Sequence, residues 1–174
     1  MKKLLVAVCG ALLLAGCVNT KKSNRPLTVL QNAPEFSLRN VKGGEVKSAD
    51  LKGKVVVIDF WATWCPPCKE EIPKFNDLYA RMKEKGVEVV GVTFESDNPV
   101  KDVLPFMDEF KMAYPVALGT DELDAALGGH LGLPTTFLIG KDWKVYRKIP
   151  GNNGESKMQG LEKDIDALLA KTAD

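Results

Sequence analysis

Histidine is almost absent from this chain: His130 is the single one among 174 residues. Chemistry that depends on several histidines, such as a multi-histidine hydrolase or a histidine-rich metal centre, is therefore excluded. A strong net charge of either sign is also missing, because the chain has 24 basic and 23 acidic residues and its formal net charge is +1. Such a balance does not favour binding to nucleic acid. We interpret His130 as a loop residue rather than a catalyst.

A long apolar run is missing as well. The run LLVAVCGALLLAG at 4–16 is too short to span a bilayer comfortably, but after its short basic head it has the layout of a secretory signal peptide. The letters LAGC at its end resemble a bacterial lipobox, in which the cysteine is acylated and becomes the first residue of the mature protein. We therefore predict a signal peptide over 1–16, a lipid on Cys17 and a polar tether over 17–33. An uncleaved anchor, or ordinary secretion with Cys17 free, is the alternative.

Cysteine is scarce, with four in the chain, and beyond the predicted lipid site only Cys65 and Cys68 remain. Two thiols three residues apart can bind a metal ion, form a structural disulfide or take part in thiol–disulfide exchange. A tetrahedral structural zinc site needs four ligands, and no second Cys-x-x-Cys or nearby histidine supplies the others. A disulfide between the two closes a very small loop and adds little stability, although export to an oxidising compartment would preserve it. Redox chemistry remains, the usual role of this motif beside a β-α-β pattern.

The sequence around the two cysteines follows a strand–helix–strand pattern. VVVIDFWA at 55–62 is a continuous β-branched run, typical of a strand buried on both faces, and VEVVGVTF at 87–94 is a second one. The segment from 66 to about 85 has apolar residues spaced for one helical face, so it predicts a right-handed crossover. The other predicted elements are a Gly43-Gly44 turn between two short extended stretches, helices over 100–112 (with Pro105 as an interruption), 121–128 and 155–171, and extended segments at 114–118, 135–140 and 144–149.

The cysteine pair stands where the first buried strand ends and the helix begins. Unpaired backbone N–H groups and the helix dipole favour an anion there. In such motifs the cysteine pKa falls to roughly 3.5–7.5, and Pro66 suits the first helical position. We therefore predict that Cys65 is the exposed, attacking sulfur and that Cys68, one turn deeper, is the resolving one. A pair of inert thiols is the alternative.

These residues resemble a known family. FWATWCPPCK at 60–69 resembles the active-site signature of thioredoxins, and GLPTTFLI at 132–139 resembles the loop whose cis-proline, here Pro134, packs against the disulfide. The segment at about 95–130, the opening APEFSL and the lipoprotein signal resemble the membrane-anchored TlpA/ResA-like branch. The resemblance implies an α/β, thioredoxin-like fold over 34–174. Its central mixed β-sheet is flanked by helices, with an N-terminal β extension and a helical insertion before the cis-proline loop.

The resemblance also assigns roles to two acids. Asp59 matches the buried acid of thioredoxins, which passes protons to the resolving cysteine; the alternative is a polar residue at a strand edge. Glu95 matches the acid of ResA-like sites, where it tunes the cysteine pKa or contacts substrate; the alternative is a solvated loop residue. Having both acids is a departure from ResA-like proteins. Thioredoxins keep a lysine near the strand acid, and the second strand, VEVVGVTF, offers no obvious counterpart.

A substrate surface is implied in the same way. A cis bond between Leu133 and Pro134 would turn the Leu133 backbone towards an incoming peptide and permit strand-like pairing. We expect Thr135 and Trp64 to belong to this surface too. Trp61 and Trp64 lie just before the cysteines. They form either the apolar rim of the active site or part of the hydrophobic core.

The function that the resemblance implies is extracytoplasmic thiol–disulfide oxidoreduction through a redox-active Cys65–Cys68 disulfide, with no cofactor and no metal, and the direction it favours is the reduction of protein disulfides. Expected partners are substrate proteins with disulfides, apocytochromes c among them, and a membrane thiol electron donor of the CcdA/DsbD type. The lipid on Cys17 would hold the protein on a bacterial membrane, facing the periplasm or the cell exterior.

Two other classes of function remain as alternatives. Peroxiredoxin-type antioxidant proteins also begin with APEFSL, but their peroxidatic cysteine needs a Pro-x-x-x-Thr/Ser-x-x-Cys setting. Ile58 and Ala62 occupy the proline and threonine positions before Cys65, which disfavours peroxidase activity. A non-enzymatic binding module would not need the intact Cys-x-x-Cys motif.

Overall fold

A six-stranded mixed sheet forms the centre of the protein, whose computed structural model describes residues 26–95, 98–130 and 132–171. The predicted signal peptide and Cys17 lie outside the described residues. In spatial order, the strands are β1 (Gln31–Asn32), β8 (Lys144–Pro150), β7 (Thr135–Ile139), β4 (Val55–Trp61), β5 (Val87–Thr93) and β6 (Val116–Leu118). A separate antiparallel hairpin, β2 (Ser37–Arg39) and β3 (Glu45–Lys47), turns at Gly43 and Gly44, both with positive φ. It is the predicted N-terminal β extension.

The centre of the sheet is the predicted β-α-β unit. β4 and β5 pair in parallel, and α1 (Pro66–Met82) connects them. All seven residues of β4 are buried, as its continuous β-branched run predicts for a strand covered on both faces. α1 begins directly after this strand, so the first turn of the helix lies at the carboxyl end of a central strand.

The other half of the sheet is antiparallel. β7 pairs antiparallel with β4, and β8 pairs antiparallel with β7 after a tight turn in which Trp143 has a φ of 56°. On the far edge, β1 pairs with the start of β8. The sheet is therefore mixed, as predicted, and it already includes two residues of the segment 17–33 that the sequence indicated as a tether. A two-residue strand is too short to leave a periodic signal.

The helices are divided between the two faces of the sheet. α1, α2 (Pro99–Glu109) and α4 (Gly154–Ala170) cover one face, whereas the β2–β3 hairpin and α3 (Asp121–Ala126) cover the other. α2, β6 and α3 make up the predicted insertion before the cis-proline loop. The sequence predicted an interruption at Pro105. Pro105 lies inside α2, and the helix continues through it without a break. Within the described ranges, no helix combines the length and the apolar character needed to cross a membrane.

Candidate active site

Cys65 and Cys68 are joined by a disulfide at the start of α1. Their sulfurs are 1.99 Å apart and their Cα atoms 5.3 Å apart. Cys65 is the N-cap residue, and Pro66 opens the helix as predicted. The backbone N–H of Cys68 points at the Cys65 sulfur, 3.3 Å away. A helix N-terminus offers such unpaired N–H groups to an anion, so this position favours a thiolate on Cys65 once the disulfide is reduced.

Both cysteines are nearly inaccessible in the disulfide form. Cys65 is 3% exposed and Cys68 is 1% exposed. The expectation of an exposed attacking sulfur is therefore wrong for this state. The reason is that the disulfide ties the Cys65 sulfur to its deeper partner, and both residues join the hydrophobic cluster between α1 and the sheet. The attacking role of Cys65 and the resolving role of Cys68 stay predictions.

The turn between β4 and α1 is held by Glu95. One oxygen of its carboxylate accepts hydrogen bonds from the backbone N–H and the hydroxyl of Thr63, both at 2.7 Å. Glu95 is thus bound to the residue two before Cys65, instead of standing free as a solvated loop residue. The two tryptophans differ: Trp61 is fully buried and stacks on Phe106, whereas Trp64 is 70% exposed next to the cysteine.

The loop before β7 carries a cis peptide bond between Leu133 and Pro134, as the resemblance implied. The carbonyl of Pro134 accepts a hydrogen bond from the backbone N–H of Gly151 at 2.8 Å. Thr135 is fully buried, and its hydroxyl donates to the carbonyl of Gly132. Thr135 therefore supports the loop from within, in place of the surface position we expected, because its hydroxyl is used to close the turn.

Asp59 lies in the middle of β4, not at a strand edge. Alternate residues of a strand share a face, and its neighbours at two residues' distance, Val57 and Trp61, belong to the cluster that contains both cysteines. The hydroxyl of Thr136 donates a hydrogen bond to its carboxylate at 2.8 Å. Burial raises the pKa of Asp59 from 3.8 to about 7. An acid with this pKa exchanges a proton readily near neutral pH.

A buried ion pair that we did not predict from the sequence lies on the same side of the sheet. The Lys157 ammonium on α4 is 2.8 Å from the Glu71 carboxylate on α1, and their side chains are 0% and 1% exposed. Burial raises the pKa of Glu71, and the hydrogen bond from Lys157 opposes this rise. Both residues lie on the buried faces of their helices: Glu71 precedes Phe75 by one turn, and Lys157 precedes Leu161 by one turn. A charged residue on the predicted buried face of each helix was the signal in the sequence that could have indicated this ion pair.

The loop between β8 and α4, residues 151–153, contacts the start of α1. The side-chain amide of Asn152 donates to the carbonyl of Pro67 at 3.3 Å and to the carboxylate of Glu70 at 2.9 Å. Its side-chain oxygen accepts from the backbone N–H of Gly154 at 2.8 Å. The same loop thus bonds to the cysteine motif through Asn152 and to the cis-proline loop through Gly151. The sequence indicated only a connection at this place.

His130 and a metal site are the remaining candidates from the sequence. His130 lies in a loop, as predicted, where it contacts the Asp124 carboxylate at 2.8 Å and stacks on Phe94. In the part of the chain that the structure describes, no group of three or more metal-ligating side chains is placed to hold an ion. The arrangement as a whole provides two sulfurs that interconvert between dithiol and disulfide, a buried acid of near-neutral pKa on the same side of the sheet, and an exposed aromatic side chain beside the reactive cysteine.

Comparisons with known proteins agree with this geometry. The profile of the AhpC/TSA family matches residues 29–148. A thiol-disulfide oxidoreductase ResA from Bacillus anthracis is 38% identical over 136 residues, which cover 78% of this chain and 77% of the relative. The ResA protein of Bacillus subtilis is 40% identical over 126 residues, or 72% of this chain and 69% of that one.

Solved structures show the same fold. A putative thiol:disulfide interchange protein DsbE from Chlorobium tepidum superposes with a TM-score of 0.73 at 34% identity, covering 83% of this chain and all of that one. A putative thioredoxin from Neisseria meningitidis gives a TM-score of 0.69 at 31% identity, covering 82% and 92%. The fold and the disulfide-forming cysteine pair are therefore those of thioredoxin-like oxidoreductases.

Proposed function

Because this chain belongs to the AhpC/TSA family, and within it to the thiol–disulfide oxidoreductases similar to ResA, we propose that it works as a reductase of protein disulfides. That it is a thiol–disulfide oxidoreductase follows from the relatives and from the Cys65–Cys68 pair. The direction of electron flow, the substrates and the membrane location are our proposal. The observation that carries it is the disulfide at the start of α1, with the buried acid Asp59 on the same side of the sheet.

The reaction starts from the reduced dithiol. The Cys65 thiolate, stabilised at the helix N-terminus, attacks a substrate disulfide and forms a mixed disulfide, and one substrate sulfur leaves as a thiolate that takes up a proton from water. The Cys68 thiol then passes its proton to Asp59 and attacks the Cys65 sulfur. The bond between Cys65 and the substrate breaks, the second substrate sulfur leaves and takes the proton from Asp59. Two electrons and two protons have moved to the substrate, and Cys65–Cys68 is the disulfide seen here.

The substrate is proposed to lie across Trp64 and the backbone of Leu133. Trp64 is the exposed aromatic residue next to the attacking cysteine, and Leu133, half-buried in the loop before β7, is proposed to offer its backbone for strand-like pairing. An apocytochrome c with its two haem-attachment cysteines oxidised is a substrate of this kind. Glu95, bound to the turn before Cys65, is proposed to tune the thiolate.

A reductase outside the cytoplasm needs a continuing supply of electrons. We propose that a membrane thiol transporter of the CcdA/DsbD type reduces the Cys65–Cys68 disulfide after each turnover. The predicted export signal and the lipid on Cys17 would keep the protein beside that donor. Metabolic labelling with a fatty acid tests the anchor: label is expected on the wild type and absent from Cys17→Ala, and an unlabelled wild type would contradict it.

A turnover assay with the full chain distinguishes the reductase from a peroxidase or a scaffold. With dithiothreitol as donor, the protein should accelerate reduction of a protein disulfide and should not consume hydrogen peroxide. Ile58 and Ala62, both buried, occupy the positions where a peroxidase needs its proline and its hydroxyl residue. Peroxide consumption without disulfide reduction would favour the peroxidase, and neither activity would favour the scaffold.

The roles of the two sulfurs are tested by single substitutions. Cys65→Ser should abolish turnover, because the attacking thiolate is gone. Cys68→Ser should accumulate a mixed disulfide with the substrate protein, because the attacking sulfur survives and the resolving one does not. Non-reducing electrophoresis and mass spectrometry of the adduct provide the measurement. Adducts in Cys65→Ser but not in Cys68→Ser would reverse the assigned roles.

A further inference from the structure

Lys157 is a charged residue in a place where charge is expensive. Its side chain is fully buried, and a buried ammonium persists only when it is paired and hydrogen-bonded. The ammonium donates hydrogen bonds to two acceptors, the Glu71 carboxylate at 2.8 Å and the backbone carbonyl of Gly151 at 3.0 Å. One partner belongs to α1, the helix that starts with the cysteine pair, and the other belongs to the loop after β8.

These contacts extend to both halves of the site. Gly151 accepts from Lys157 through its carbonyl and donates through its N–H to the carbonyl of Pro134 in the cis-proline loop. On the other side, Glu71 lies one turn after Cys68 on the buried face of α1. Lys157 is therefore the middle member of a hydrogen-bonded chain that runs from the cis-proline loop to the helix of the redox cysteines.

The same pair sets the electrostatic surroundings of Asp59. The groups that act on the Asp59 carboxyl are Lys157 from α4, Glu71 from α1 and the Thr136 hydroxyl from β7. Burial is the largest cause of its raised pKa; the positive charge of Lys157 lowers that pKa, and the negative charge of Glu71 raises it. Tyr114, also close enough to respond to Asp59, stays neutral because burial raises its own pKa well above 10.

We propose that Lys157 is a positioning residue for the redox reaction: it fixes the Glu71 carboxylate beneath the cysteine helix, and through this pair it sets the charge felt by Asp59. The proposal rests on the proposed role of Asp59 as the group that exchanges a proton with Cys68. In that step the Cys68 S–H bond breaks and an O–H bond forms on Asp59. The electron pair left on the Cys68 sulfur makes the Cys65–Cys68 bond, and the substrate thiolate leaves. Lys157 keeps its own proton throughout.

If the ion pair sets the charge near Asp59, its two members should affect the titration of Asp59 differently. A pair that only supports the packing of the helices would not do this. Removing the positive charge and removing the negative charge should shift the titration of Asp59 in opposite directions. In Lys157→Met the Asp59 carboxyl loses a stabilising cation, so its midpoint rises. In Glu71→Gln it loses a repelling anion and keeps the cation, so its midpoint falls. Damage to packing alone would not produce shifts of opposite sign.

The first measurement is the ¹³C NMR titration of the Asp59 carboxyl in the full, oxidised chain, with Asp59→Asn to assign the signal. We expect a wild-type midpoint of about 7, a midpoint ~1 unit higher in Lys157→Met and a lower one in Glu71→Gln. Lys157→Arg keeps the charge and should restore the wild-type value. Lys163→Met, which removes an exposed lysine from the same helix, should leave it unchanged. The double variant Glu71→Gln/Lys157→Met has no unpaired buried charge, and its midpoint should fall between those of the single variants.

The second measurement is the pH dependence of protein-disulfide reduction by the same variants. A midpoint raised by ~1 unit reduces the ionised fraction of Asp59 at pH 7 about fivefold, so Lys157→Met should be slower at pH 7 by a similar factor and recover at higher pH. Equal Asp59 midpoints in Lys157→Met, Glu71→Gln and the wild type would overturn the proposal. If the Asp59 midpoints shift but the pH dependence of the reduction rate does not, Lys157 sets the charge at Asp59 without affecting the reaction, and its role as a positioning residue is overturned. A wild type that reduces no protein disulfide at any pH would instead overturn the proposed function, and the NMR titration would still decide whether Lys157 sets the charge at Asp59.

Discussion

Lys157 on α4 and Glu71 on α1 form an ion pair at 2.8 Å across 86 residues of sequence, and neither side chain reaches solvent. Such a pair does not by itself make a protein more stable, because removing two charges from water costs about as much as their attraction returns. Its position between the cysteine helix and the loop that contacts Pro134 indicates a role in the site. The energetics of the pair can be tested separately from its effect on the reaction.

Breaking the pair should be far more harmful than replacing it. Lys157→Met leaves the Glu71 carboxylate buried without its cation, and we expect a loss of ~3–5 kcal/mol in the free energy of unfolding at pH 7. The double variant Glu71→Leu/Lys157→Met places two apolar side chains there and should recover most of this loss. Urea unfolding followed by tryptophan fluorescence provides both values. A double variant as unstable as the single one would mean that the pair itself is not the cause.

Asp59 should make the protein less stable as the pH rises. Its folded-state pKa lies near 7, above the ordinary value of 3.8, so between these values the folded state holds a proton that the unfolded state has released. Stability therefore falls from about pH 4 to pH 7, and the full cost, roughly 4 kcal/mol for a shift of about three units, is present above pH 7.

Asp59→Asn removes this titration. The variant should gain stability over the wild type at pH 8 and little at pH 4, as urea unfolding at the two values would measure. Asp166→Asn, which neutralises an exposed carboxylate on α4, is the matched control and should show no such difference. A difference between Asp59→Asn and the wild type that does not change with pH would contradict the near-neutral pKa.

The fold and the centre of the site could be predicted from local patterns, and their surroundings could not. The run 55–62 and the Cys-Pro-Pro-Cys motif located β4 and the start of α1, since burial on both faces and a helix start leave a mark in a short stretch of sequence. The bond from Lys157 to Glu71 joins distant segments, and no local periodicity encodes such a contact. The thioredoxin pattern has a lysine near the strand acid, and the neighbouring strand β5 offers none, whereas Lys157 on α4 acts on Asp59 in the folded protein.

The accessibility of the cysteines also escaped prediction. The motif indicates which sulfur comes first on the helix, but the depth of both depends on the disulfide and on the cluster packed beneath α1. The contact of Asn152 with the cysteine helix was missed for a related reason: a Gly-Asn-Asn-Gly stretch predicts a turn, and a turn sequence does not name its distant partner.

Asn152 provides a test of that contact. Asn152→Ala removes its hydrogen bonds to Pro67 and Glu70 and the one it accepts from the backbone N–H of Gly154, so we expect a loss of ~1–2 kcal/mol in stability and slower disulfide reduction, because the start of α1 is less firmly held. Asn153→Ala is the matched control, since the adjacent side chain makes no capping hydrogen bond. Urea unfolding and the turnover assay measure the two effects. Equal behaviour of the two variants would show that the loop does not support the cysteine motif.

The most direct test of the proposed reductase is the reduction potential of the Cys65–Cys68 pair. The full chain is equilibrated in glutathione buffers of known ratio, and the fraction of disulfide is read after the free thiols have been alkylated. A dithiol that gives electrons to protein disulfides should have a potential between about −200 and −270 mV, the range of glutaredoxins and thioredoxin. A potential near −120 mV, typical of strongly oxidising disulfide donors, would contradict the reductase and make the protein an oxidant of thiols.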